Sequence, residues 1–437
     1  MKLSRIYSWT GKFKDSVTYY DRTIKLNREN ITASIEKARV LGWWGKNKHA
    51  LTVYMDTFQE HPENWIKWEA EGKRRLWRGK LRSAIRCFEE SLTDKPDNDE
   101  VLFDIAQSYS FVGDNEKAKT YYTRLLSANP YHTAGIKSQK KNLINVNALS
   151  LGGGFTYWDA KSFERNVNVQ LESEYLTVSK KYQRITLGAN CSRENFKFDD
   201  YNDMEQLSAG FSGGYDKPLV YGFGAGFTSR RIENNDVSGR DSYYVYVWYK
   251  VLENVNVNMN YVKNNMILNY RNVLNDLNDI SSLMNIEYQL NESLVLGSRI
   301  KGAKINDGNR YRTSSIYSRY VIFKQPRNLY TLLEAENMRY ENQSQEYFAP
   351  DNYSAFFAQL GFRHDIGRDG QYYGANRIYY DVRYKVVWDS NDEIASQPSV
   401  EVYVDINHRL NLMFNYSLTE SNYYDDTVCS LQGRYLF

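Results

Sequence analysis

The feature that most restricts this chain is a series of strict two-residue alternations filling its last two-thirds. In R-N-V-N-V-Q-L-E-S-E-Y, Val167, Val169 and Leu171 share one face, while Asn166, Asn168, Gln170, Glu172 and Glu174 share the other. E-N-V-N-V-N-M-N-Y sets Val255, Val257, Met259 and Tyr261 against Asn254, Asn256, Asn258 and Asn260. The segments around Phe356–Phe362, Ile378–Trp388, Val400–Ile406 and Leu410–Leu418 repeat the scheme. Alternation of this length marks antiparallel strands with one dry and one wet face. About sixteen such segments run to Phe437, each long enough for the roughly 9–11 residues of a tilted membrane-crossing strand.

The connections between segments alternate in length. Short ones are expected at 179–181, 215–219, 290–293 and 323–328, and long ones at 193–203, 229–241, 269–280 and 340–353. A soluble sandwich has no reason to keep every other loop short, whereas a transmembrane barrel has tight turns at one rim and extended loops at the other. The fold class expected is therefore α + β: an N-terminal helical solenoid followed by an antiparallel β-barrel of about sixteen strands. Lipid satisfies no polar group, so the apolar faces call for a closed sheet without edges. The last strand, C-S-L-Q-G-R-Y-L-F, ends on Phe437 and resembles the assembly signal of outer-membrane barrels.

The first third follows a different rule. Pro62, Pro96 and Pro130 are spaced by 34 residues, as are Gly45, Gly79 and Gly113, and Ala50, Ala84 and Ala118, and Tyr54, Phe88 and Tyr122. That is the period of a two-helix repeat. The residues Trp68, Gly72, Ala84, Phe88 and Pro96, and then Leu102, Ala106, Tyr109, Ala118, Tyr122 and Pro130, resemble the tetratricopeptide repeat family. Small residues let paired helices approach, the aromatic fills the space between pairs, and proline ends the second helix. Stacked pairs make a solenoid with a groove suited to a protein partner. The expected division is residues 1–144 for the repeats and 145–437 for the barrel. Gly11 and Tyr20 continue the ruler backward, so an upstream segment carrying further repeat and an export signal is expected.

Charge supports two parts with different surroundings. Residues 1–144 carry 26 basic and 18 acidic side chains, and residues 145–437 carry 30 and 35. The basic residues are scattered without stacking aromatics, which argues against nucleic acid. Mean hydropathy is −0.66, and no stretch offers the ~20 apolar residues of a spanning helix. Cys87, Cys191 and Cys429 are far apart and show no metal spacing, and the five histidines are dispersed. No cofactor, metal or catalytic residue is expected.

The stretch Y-F-A-P-D-N-Y adds a second resemblance. Tyr347, Phe348, Pro350 and Tyr353 are similar to a loop motif in the C-terminal barrel of the outer-membrane component of bacterial cellulose synthase, although Ala349 and Asp351 stand where serine and glutamine are commoner. The poly-N-acetylglucosamine export porin shares the order of repeats and then barrel. The resemblance implies passage of a polysaccharide across the outer membrane, with the repeats in the periplasm docking synthesis or modification proteins.

On this reading the wet faces line a hydrated lumen. The candidates are Glu172, Glu174, Glu287, Arg299, Lys301, Arg319, Glu334, Glu336, Arg363, Tyr379, Asp381, Arg383, Lys385, Glu401, Tyr403 and Asp405. A slightly acidic barrel favours a neutral or partly cationic polymer. The expected partners are a polysaccharide in the lumen, periplasmic protein in the repeat groove and outer-membrane lipid around a monomeric barrel. The alternative is a surface binding protein whose barrel is filled and whose long loops hold a ligand.

Overall fold

The computed structural model describes residues 1–162, 167–199, 201–233, 240–323, 327–366, 374–421 and 424–437. Chain contacts separate two compact units that adjoin in sequence at Asn142 and Leu143.

Among the described residues the first unit is built from nine helices. They are α1 (Lys2–Trp9), α2 (Phe13–Leu26), α3 (Ile31–Trp43), α4 (Asn47–Glu60), α5 (Asn64–Trp77), α6 (Leu81–Asp94), α7 (Asp99–Phe111), α8 (Asn115–Ala128) and α9 (Thr133–Asn145). Each 34-residue column has a visible cause. Ala50, Ala84 and Ala118 are fully buried, as are Tyr54, Phe88 and Tyr122. A side chain at Gly72 would collide with the Phe88 ring, so glycine there sets the spacing of α5 and α6. Gly11, Gly45, Gly79 and Gly113 all adopt positive φ, between 71° and 81°. Each closes the first helix of its pair: the residue after Gly79, for example, donates from its backbone N–H to the Arg75 carbonyl at 2.9 Å. Only glycine enters that backbone region without strain. Pro96 and Pro130 follow α6 and α8, Tyr109 stacks on Tyr121 at 5.7 Å, and Trp68 lies on α5 beside Lys67.

A further column runs through the first helix of each pair. Arg5, Arg39 and Lys73 recur at 34 residues, and each forms an ion pair with the next first helix: Arg5 with Glu36, Arg39 with Glu69, and Lys73 with Glu100 and Asp104. Glu69 is wholly buried and also accepts hydrogen bonds from Tyr54 Oη and Asn98 Nδ2, both at 2.8 Å.

These carboxyls titrate in opposite directions. Burial raises Glu69, but the Arg39 guanidinium, Lys73 and Asn98 outweigh it and hold the group at about 2. Burial also raises Asp104; Lys73 offsets only part of this and Glu100 adds to it, leaving Asp104 at about 7. The contribution of Glu69 to stability is present above its ordinary 4.5 and lost as pH falls toward 2. That of Asp104 is complete below its ordinary 3.8 and lost as pH rises through 7. Thermal melts of the helical circular-dichroism signal in the detergent-solubilised full chain are therefore expected to peak between these limits. Asp104→Asn should remove the decline between about pH 4 and 7. A wild-type melting temperature that stays level over this range would contradict the assignment.

The second unit is a closed barrel of sixteen strands among the described residues: β1 (Leu149–Ser162), β2 (Val167–Tyr182), β3 (Ile185–Phe198), β4 (Tyr201–Lys217), β5 (Tyr221–Ile232), β6 (Ser242–Leu252), β7 (Val255–Asn265), β8 (Asn278–Gln289), β9 (Leu294–Ile305), β10 (Arg310–Phe323), β11 (Arg327–Tyr340), β12 (Tyr353–Ile366), β13 (Ile378–Asp389), β14 (Ile394–Asp405), β15 (Leu410–Thr419) and β16 (Asp425–Leu436). Each strand pairs antiparallel with its chain neighbour, and β1 closes on β16. Residues opposite each other across a ladder share a face, so register assigns inside and outside. Leu151 lies opposite both Tyr435 and Val178, and Phe155 opposite Leu431. These belong to an outer face on which Leu176, Phe211, Phe223, Ile300, Ile316, Leu360 and Val382 are all exposed. Tyr182, Tyr249, Tyr320, Phe323 and Phe437, exposed near the turn-side rim, supply an aromatic girdle. This is an exterior suited to contact with lipid.

Loop lengths differ from expectation. The residues expected as a long connection at 193–203 lie almost wholly within β3 and β4, and 179–181 belong to β2, whose turn comes at 183–184. Strands of fourteen to seventeen residues rise roughly 40 Å at barrel tilt, against an apolar band about 25 Å tall. Extending the wall above the lipid satisfies backbone groups that a loop would leave to water. Parts of the connections at 229–241 and 323–328, and Asn166, lie outside the described residues. Connections at 306–309 and 390–393, on the loop side, are short.

Candidate functional site

Register places fourteen of the sixteen candidate lumen residues on the inner face of β8 to β14. They are Glu287, Arg299, Lys301, Arg319, Glu334, Glu336, Arg363, Tyr379, Asp381, Arg383, Lys385, Glu401, Tyr403 and Asp405, each alternating with an outward apolar neighbour. Their charges are largely paired along the wall. Arg299 meets Glu334 at 3.0 Å and Lys301 meets Asp279 at 3.4 Å. Arg383 lies 2.8 Å from Glu401 and 3.3 Å from Asp381, and Arg363 lies 3.0 Å from Asp365. Tyr379 and Tyr403 stack at 5.2 Å, and their hydroxyls donate to Glu401 and Asp405, each at 2.7 Å. The Arg363 guanidinium covers the Tyr379 ring at 3.6 Å. This wall is polar and strongly ion-paired, with little unbalanced field.

Glu172 and Glu174 are the exceptions. Glu174 is paired with Phe155 and Glu172 with Tyr157, which puts both carboxylates on the outer face, while Val167 and Val169 turn inward and are buried. Glu172 meets Lys197 at 2.7 Å and Arg193 meets Glu205 at 2.6 Å, forming an ion-paired collar on the outside of β2, β3 and β4. The expected lumen role for these two residues is corrected on this basis. Near the loop-side rim the outer wall stands above the lipid, so its polarity inverts.

What meets Val167 and Val169 from inside is a segment between β7 and β8. It carries a short helix, α10 (Tyr270–Leu274). Val273 is fully buried against Ala160, Val167, Val169, Phe196, Phe198, Met204 and Ile232, which come from β1 to β5. The Asn168 N–H donates to the Leu268 carbonyl at 3.0 Å. On its other side the segment is held by the loop between β11 and β12: Asn269 and Asn272 each donate to the Glu346 carbonyl at 3.0 Å. The segment thus lies across the loop-side mouth of the barrel.

The Tyr347–Tyr353 motif anchors that second support. Tyr347 is buried with Leu277, Ile305 and Ala349, donates to Asp307 at 2.7 Å and accepts from Asn309 at 3.0 Å. The Pro350 carbonyl accepts from the Tyr340 N–H at 3.0 Å, and Phe348 packs edge-on against Tyr353 at 5.4 Å. The motif is an ordered clamp beside the crossing segment.

One inner-face pattern was missed from sequence. On β5, Gly222, Gly224 and Gly226 lie opposite Trp248, Tyr246 and Tyr244 of β6, and a Cβ at any of the three glycines would collide with the ring opposite. The rings therefore reach over a side-chain-free strip. Y-G-F-G-A-G-F was the available signal, since alternate glycine weakens a strand unless something packs on it.

Comparisons with known proteins accord with this architecture. Residues 99–132 match the tetratricopeptide repeat family. A solved structure described as a bacterial polysaccharide outer membrane secretin matches 67% of this chain and 99% of its own, with TM-score 0.53 and 11% identity. Pseudomonas aeruginosa OccK11 (OpdR) matches 67% of this chain and 96% of its own at 9% identity, TM-score 0.37. The CymD monoaromatic hydrocarbon channel matches 70% and 91% at 12% identity, TM-score 0.35. No curated protein matches the sequence. The chain thus joins tetratricopeptide repeats to a closed sixteen-strand barrel, and its barrel shares the fold of that secretin.

Proposed function

We propose that this protein is an outer-membrane pore for an extracellular polysaccharide, with its repeats in the periplasm docking proteins that make or modify the polymer. The observation that carries the reading is the inner wall of β8 to β14: a broad polar surface whose charges are largely paired with one another. A hydrated polymer needs many weak, exchangeable contacts, and paired charges favour a neutral one over a polyanion. The first strand begins and the last strand ends at the same rim. Closure of β1 on β16 leaves no free edge, which supports a one-chain pore. The fold likeness to a polysaccharide secretin points the same way.

The test is disruption of the gene followed by sugar analysis of surface and periplasmic fractions. The expected result is loss of a surface polymer and its appearance in the periplasm. Unchanged surface polysaccharide would overturn the reading. The segment across the mouth favours a second reading, a receptor with a filled barrel, which is separated by the conductance measurement below.

A further inference from the structure

We infer that the ring-covered strip of β5, β6 and β7 is a binding track for the pyranose rings of a neutral polysaccharide. This inference rests on the export reading and specifies which wall of the lumen engages the polymer.

The argument begins with contrast. On β9 to β14 the inner aromatics are already occupied: Arg363 covers Tyr379, Arg299 lies 4.5 Å from the Tyr317 ring centroid, and the tyrosine hydroxyls donate to Glu287, Asp381, Glu401 and Asp405. Tyr244, Tyr246 and Trp248 differ. Each ring reaches over the glycine opposite it on the lumen side, and among the described residues no cation covers them. Tyr244 and Tyr246 are near-parallel, 6.3 Å apart with 20° between planes. With Trp248 they place a ring at every second residue, a step of about 6.6 Å along the strand.

The neighbouring strand completes the chemistry. Asn260 lies opposite Tyr246 and Asn258 opposite Trp248 on the same inner face. Among the described residues neither amide, nor the Tyr246 hydroxyl, nor the Trp248 indole N–H, has a protein hydrogen-bond partner. Near-parallel rings beside a row of unpartnered amides match the two surfaces of a sugar. The C–H faces of a pyranose stack on the rings, and its equatorial hydroxyls exchange hydrogen bonds with amides. The spacing in even steps lets a chain move from ring to ring.

The experiment uses the full chain reconstituted in planar bilayers. Current block is recorded with three neutral hexasaccharides, built from β1,4-glucose, β1,6-glucose and β1,4-N-acetylglucosamine, and with polyethylene glycol of similar size. At least one sugar is expected to block with a resolved residence time. Y246A/W248A should shorten that time by about tenfold, with polyethylene glycol block unchanged, and Y246F/W248F should restore most of it. Heat-shifted gel migration verifies that the variants are folded. A conducting wild type that no sugar blocks, or equal residence times in Y246A/W248A, overturns the track while leaving the pore intact. A wild type that does not conduct, with or without the mouth segment, defeats the export reading and the track together.

Discussion

Replacing residues 268–276 with a short glycine-serine linker should raise the single-channel conductance of the reconstituted protein by roughly threefold or more, because conductance follows the narrowest hydrated section. The segment crosses from the β1–β5 wall, where Val273 is buried, to the Tyr347 clamp, where Glu346 accepts from Asn269 and Asn272. Its removal opens the mouth without touching a strand. A gentler variant, Val273→Asp, buries a carboxylate among apolar side chains and should favour the displaced state, with frequent openings rather than a uniformly wider pore. Tyr347→Ala removes the other support and should act in the same direction, since Tyr347 ties the clamp to Asp307 and Asn309. Conductance unchanged in all three would place the constriction elsewhere. A closed wild type that the replacement opens identifies the segment as a gate.

Legibility in the sequence followed the physics of each part. The 34-residue columns were readable because every repeat solves the same packing problem with the same residue, as Ala84 and Ala118 or Phe88 and Tyr122 do. The strands were readable because one face meets lipid. Period two distinguishes two faces but does not say which is inside. That is why Glu172 and Glu174 were misplaced: above the lipid, water bathes the outer wall and the crossing segment makes the inner wall apolar. The segment itself was illegible, since N-Y-R-N-V-L-N-D reads as a polar loop and its few apolar residues acquire partners only from distant strands. Arg5, Arg39 and Lys73 kept the ruler too, but a basic residue on a repeat helix reads as solvated surface until its acidic partner, on the next pair, is seen.

That ladder yields the largest stability effect. Arg39 donates to both Glu69 oxygens at 2.8 and 2.9 Å and to Asn98 Oδ1 at 2.9 Å, and Glu69 has no solvent access. Arg39→Met leaves a buried carboxylate without its main cation, which should destabilise the repeats by about 3–5 kcal/mol. Arg39→Met/Glu69→Met removes both charges and should recover more than half of that loss, because exchanging a buried pair for apolar groups of similar volume is often close to neutral. Arg39→Lys should fall between the wild type and Arg39→Met: it keeps the charge but cannot reach Glu69 and Asn98 together. Helical melts of the full chain in detergent measure all three, with heat-shifted gel migration reporting the barrel separately. Because stacked repeats are stabilised chiefly by their neighbours, failure at the α3–α5 junction should unfold the helices on both sides of it in one step. Additive losses in the double variant would mean that Arg39 and Glu69 contribute independently, and the ladder would then be a row of separate contacts rather than a coupled spine.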